Sequence, residues 1–174
     1  MIQAPTLLEM SIETALRLGS EDDVQTTAHF MRRVGLAPTI IRLVQSGNGR
    51  FMYVVQFPFR TVRPSFGVHW KSLSTVLRKI ESLQGWGART LECVNLTVSY
   101  KDLDRIERVL KQMKFDSVMM LGCKYSGITT SEQAARLLTV LRGGTNAHVF
   151  DSDGAINKIL TQQTATPSPS LPQQ

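Results

Sequence analysis

The chain has 174 residues, of which 42% are hydrophobic and 20% charged, and it carries a formal net charge of +6. This size and balance predict one globular domain that can bury its own core, and they exclude a chain kept unfolded by composition. No apolar run approaches the roughly 20 residues needed to span a bilayer. The first residues lack the basic and apolar stretches of a signal peptide, so secretion is not expected. Cys93 and Cys123 lie in apolar surroundings without ligand spacing and read as buried, reduced thiols.

The charge is unevenly spread. Residues 1–31 carry −4, residues 32–114 carry +10, and residues 115–174 are neutral. A basic middle beside an acidic start points to an anionic partner, or to self-association between the two.

In chain order, residues 1–37 read as a helical arm, 38–160 as an α+β core domain, and 161–174, rich in Gln, Thr, Pro and Ser, as a disordered tail. Within the arm, a short helix is expected from Ser11 to Leu18. A second follows Ser20, with acids in its first turn and a stop at Gly35. Two apolar runs flank Ser46–Gly49, and Asn48-Gly49 favours a tight hairpin turn between strands. Pro58–Pro64 is a proline-bounded connection presenting Arg60 and Arg63, and Phe66–Trp70 alternates like a short edge strand. Helical spacing from Leu73 to Leu83 leads to Gln84-Gly-Trp-Gly87, where Trp86 is either a lid on the core or an exposed anchor for a partner.

Leu91–Val98 reads as one strand, and Ser99 to Asp102 as the capped start of a helix. That helix sets Leu103, Ile106, Val109, Leu110 and Met113 on one side. Lys101, Arg105, Arg108, Lys111 and Lys114 lie away from it and form a basic side, which Asp104 and Glu107 partly neutralise from three and four residues away. A strand around Val118, a helix capped by Thr130 and Gln133, and, from Ala147 to Leu160, a terminal hairpin or a strand and frayed segment complete the domain. The fold class expected is thus a single α+β domain, with a twisted, mainly antiparallel sheet and packed helices.

No catalytic pattern is present. His29, His69 and His148 are isolated, the Asn48-Gly49 loop lacks the Walker spacing and Lys, and Asp151, Asp153 and Gly154 lack the later ligands of a calcium loop. No enzyme activity, metal or cofactor is therefore expected. The sites expected are the anion-binding bases Arg60, Arg63, Lys101, Arg105, Arg108, Lys111 and Lys114, with Trp86 as the partner anchor. A monomeric nucleic-acid-binding module is the competing class.

The order of elements from Phe51 to Ile156 resembles a rhabdovirus matrix protein of the short plant-virus type. Three stretches carry the resemblance: Phe51–Pro64 leading to the helix that ends at Trp86, Leu91–Leu103 running into a capped helix, and Ala134–Leu141 followed by Asp151–Gly154. The resemblance implies a structural protein that self-associates and bridges ribonucleoprotein or RNA to an anionic membrane surface during virion assembly and budding. It also implies contact with a viral glycoprotein tail, and a place in the virion and host cytoplasm or at the inner membrane face. The Pro-Pro-x-Tyr arm of animal-virus members is absent. A shorter stretch, Phe66–Asn95, is similar to the small linker domain of phycobilisomes, with Gly85-Trp-Gly-Ala-Arg89 where that family has a Gly-Gly-Lys-Ile turn.

Overall fold

A computed structural model describes residues 7, 10–12, 14, 21–58, 61–62, 69–144 and 146–162. Arg60, Arg63, most of the Phe66–Trp70 segment, most of the short helix expected from Ser11 to Leu18, and the tail from residue 163 lie outside the described residues.

Helix α1 (Glu21–Arg33) ends, as its glycine predicts, at Gly35 with φ +71°, and it buries Ala28 and Met31 in the common core. Strands β1 (Ile40–Gln45) and β2 (Phe51–Gln56) pair antiparallel. Their connection is the hairpin expected around Ser46–Gly49, with Arg50 also in the loop. Ser46 N–H donates to the Arg50 carbonyl at 2.8 Å, and the Asn48 side chain accepts from Arg50 N–H at 3.2 Å. Strand β3 (Thr61–Val62) adds to β2, and Trp70 makes one further bridge to Phe51.

Beyond the hairpin the architecture departs from the expected pairing. Helix α2 (Leu73–Glu81) returns the chain to β4 (Thr90–Val94), which lies parallel to β1. Helix α3 (Leu103–Met113) leads to β6 (Ser117–Leu121), and helix α4 (Ser131–Leu141) to β8 (His148–Asp151); both strands join in parallel. The sheet order is β3-β2-β1-β4-β6-β8, a mixed sheet with mostly parallel pairing. The α+β class stands, but the sheet is not mainly antiparallel, because a helix precedes each of β4, β6 and β8 and carries the chain back to the edge where the strands start. For the same reason Asp151–Gly154 is no hairpin: it leads into helix α5 (Ala155–Gln162), which extends into the stretch expected as tail.

Leu91–Val98 is also two strands and not one. Asn95, at φ +55°, breaks it into β4 and β5 (Thr97–Ser99). Gly122, at φ +64°, separates β6 from β7 (Lys124–Ser126) in the same way, and β5 pairs with β7 in parallel. Strand, left-handed residue, short strand and returning helix therefore recur, with Thr90 opposite Ser117 and Thr97 opposite Lys124. The buried positions recur with them: Ala88, Leu91, Cys93, Leu96 and Val98, then Phe115, Val118, Met120 and Cys123. This is the outline of a short β/α solenoid, in which each unit covers its neighbour's apolar edge. Cys123 is the equivalent of Leu96, and its Sγ–H donates to the Cys93 carbonyl at 3.3 Å.

Candidate interaction surface

Side chains alternate across the strands and give the sheet two unlike faces. Ile41, Leu43, Tyr53, Val55, Leu91, Cys93, Val118 and Met120 are buried in the core cluster under the helices. The void there is about 20 Å³, lined only by apolar side chains, and offers nothing to orient a ligand.

The opposite face is different. Its side chains align in three rows set by the strand register. One row is Met52, Val44, Val94 and Leu121, all half-buried. The middle row runs Val54, Arg42, Glu92, Met119 and Phe150, and the last runs Gln56, Ile40, Thr90, Ser117 and His148. Arg42 Nε donates to Glu92 Oε2 at 2.6 Å, so the two charges at the centre neutralise each other. Apart from Val54, at 6% exposure, this face is half-buried or exposed, and none of it belongs to the core cluster.

The bases expected to bind anions divide between two places. Lys101, Arg105 and Arg108 lie on the first half of α3 and its lead-in, exposed to solvent. Lys111 and Lys114 lie at the far end of α3, and Lys111 pairs with Glu107 at 2.8 Å. Glu107 and Asp104 both accept from Arg136 on α4, and these hydrogen bonds from Lys111 and Arg136 hold the Glu107 carboxyl below its ordinary pKa. That side of α3 is therefore a helix–helix ion network and not a free basic face.

Other bases join Lys111 and Lys114 at the edge where strands begin and helices end. Arg32 and Arg33 close α1, and Arg78 and Lys79 sit in the last turn of α2. Arg89 precedes β4, its N–H donating to the Thr39 carbonyl ahead of β1 at 3.2 Å. Arg142 is the C-cap of α4. Glu81 and Asp116 are the acids here, Asp116 being 3.9 Å from Arg89. The opposite edge holds Arg50, Lys71, Lys101 and Lys124 with the acids Asp102, Asp104, Glu132, Asp151 and Asp153. The fold thus brings Arg32, Arg33, Arg78, Lys79, Arg89, Lys111, Lys114 and Arg142 to one rim and leaves the other bases among the described residues elsewhere.

Trp86 is no exposed anchor. It is 1% exposed and meets Phe57 edge-on, with ring centroids 5.8 Å apart. The glycine at 87, with φ +78°, turns the chain away while the indole fills the space beneath α1. His29, His69 and His148 are exposed and far apart in the chain. Among the described residues, no group of three His, Cys, Asp or Glu side chains could hold a metal. Burial pushes the Cys123 thiol up to about 11 and the Cys93 thiol higher still, which leaves neither as a ready thiolate. No helix among the described residues is long and apolar enough to cross a membrane. Comparison with protein-family models, curated proteins and solved structures finds no match.

Proposed function

We propose that this chain is a non-enzymatic assembly scaffold that associates with further copies of itself through the open sheet face. The observation that carries the reading is that face: five strands wide, apolar along one whole row, and electrically balanced at its centre. In β/α solenoids the exposed sheet is the surface that partners occupy. Two features favour a second copy as the occupant. An array with only four parallel strands is too short to curve deeply, so two such faces can lie against each other as sheets do in a sandwich. The Arg42–Glu92 pair also leaves no net charge to repel an identical face across a two-fold axis.

The magnitude sets the character of the association. Strands about 4.8 Å apart and rows about 6.8 Å apart give a face of roughly 300–400 Å², against about 800 Å² per partner in a standard stable interface. The dissociation constant should be on the order of tens of micromolar, which suits reversible assembly better than a permanent dimer. This agrees with the self-associating role that the matrix resemblance implies; attachment to ribonucleoprotein, membrane and a glycoprotein tail, and residence in a virion, remain further parts of that proposal. The test is sedimentation velocity across concentration for the wild-type chain and for Leu121→Arg, whose side chain lies on the open face. Concentration-dependent association that the substitution abolishes supports the reading. A strict monomer at every concentration refutes it and leaves an unlike protein as the occupant of the face.

A further inference from the structure

The basic rim has a chemistry separate from the sheet face. We infer that this rim is a docking surface for anionic lipid headgroups, which gives a site to the membrane attachment counted in the proposed function and rests on that part of it. Its bases come from the ends of α1, α2, α3 and α4 and from the start of β4, so they share one edge of the sheet although the sequence scatters them over more than a hundred residues. The edge is traced by backbone hydrogen bonds. Arg89 N–H donates to Thr39, Asp116 N–H to Arg89 and His148 N–H to Asp116, at 3.2, 2.8 and 2.9 Å. Cations at helix C-termini also suit their own helix dipoles, and that alone would account for one or two of them. It does not account for Arg89, which ends no helix and has Asp116 3.9 Å away, nor for the excess of the rim's bases over its acids Glu81, Glu107 and Asp116.

A second observation separates a lipid surface from a nucleic acid. Phe30 and Val34 are 49% and 47% exposed and stand one helical turn apart at the end of α1, bracketing Arg32 and Arg33. Exposed apolar side chains beside bases on a helix suit the boundary between headgroups and acyl chains, where the apolar groups insert and the bases meet phosphate. Single-stranded nucleic acid calls for several stacking platforms along a groove. The other large exposed aromatics, Tyr100 and Phe150, belong to the opposite edge and to the open sheet face. The inference does not depend on self-association, although a two-fold pair of copies would double the weak contacts.

The test is cosedimentation of the full chain with vesicles of phosphatidylcholine alone and of phosphatidylcholine mixed with phosphatidylserine. Wild type should bind the mixed vesicles, and raised salt should weaken the binding. Each base near such a surface is worth about fivefold in affinity, so Arg33→Gln, Lys79→Gln and Lys114→Gln together should weaken it on the order of a hundredfold. Phe30→Ser should weaken it several-fold with the charge unchanged. Arg105→Gln with Arg108→Gln, away from the rim, should leave it within about twofold. Each variant's thermal melt is recorded alongside. If the triple exchange melts early, Arg33→Gln with Lys79→Gln alone, for about 25-fold, replaces it. Binding unchanged by the rim exchanges, or lost equally in the Arg105–Arg108 pair, overturns the assignment. So does rim-dependent binding to single-stranded RNA without binding to the mixed vesicles.

Discussion

Gly122→Ala should destabilise the fold by about 1–2 kcal/mol, because the residue sits at φ +64°, where a Cβ crowds the neighbouring carbonyl. A Cβ built there would also come within 2.6 Å of Asn95 Oδ1. That oxygen ends an exposed side chain which can rotate away, so the contact should add little to the backbone cost. The two contributions can be separated. Adding Asn95→Gly removes the contact and leaves the backbone conformation of residue 122 as strained as before, so the double variant should recover only a few tenths of a kcal/mol of the Gly122→Ala loss, measured against Asn95→Gly alone. With a urea m-value of about 2 kcal/mol/M, the single exchange should lower the unfolding midpoint by about 0.5–1 M. An unchanged or raised midpoint would refute the left-handed turn that divides β6 from β7, and with it the repeat that aligns β5 on β7.

Trp86→Ala should cost about 3–5 kcal/mol as a buried aromatic truncation, read by the same urea titration; a loss below about 1 kcal/mol would return Trp86 to the surface. Glu107→Gln should cost about 1 kcal/mol at neutral pH by removing the carboxylate charge that Lys111 and Arg136 share, and one of its two acceptor oxygens. Because the folded-state pKa of Glu107 is depressed, its contribution is complete above the unfolded value of about 4.3 and is lost as pH falls through the folded value. Wild type and Glu107→Gln should therefore converge in acid, and a difference constant from neutral to acid pH would contradict the ion network.

Much of the fold is legible in local pattern. Apolar spacing marks the faces of α2, α3 and α4, and the Thr130–Gln133 capping box forms as its sequence suggests, with Gln133 N–H donating to Thr130 Oγ1 and Thr130 N–H to Gln133 Oε1, both at 3.2 Å. The Ser99 cap does not form: a 3-10 turn from Tyr100 to Asp102 intervenes, and Ser99 makes no side-chain bond. Parallel pairing was hidden because it is a long-range choice, made by helices that cover one sheet face and invisible in any single strand. A signal was nevertheless present in the recurrence of Leu91-x-Cys93-x-x-Leu96 as Val118-x-Met120-x-x-Cys123. Reading it requires Asn95 and Gly122 as equivalent left-handed positions, and Asn in a strand-like run gives little local hint of a break. On α3 the sequence shows half of the ion network: Glu107 stands four residues before Lys111 and is legible as its partner, whereas Arg136 arrives from another helix and is not.

The central claim is that the open sheet face is where copies of this chain meet, and sedimentation velocity of wild type beside Leu121→Arg tests it most directly. Wild type should shift from monomer to larger species over tens of micromolar, while Leu121→Arg, folded by circular dichroism, stays monomeric. A wild-type chain that remains monomeric throughout, or a Leu121→Arg chain that associates equally well, would contradict it.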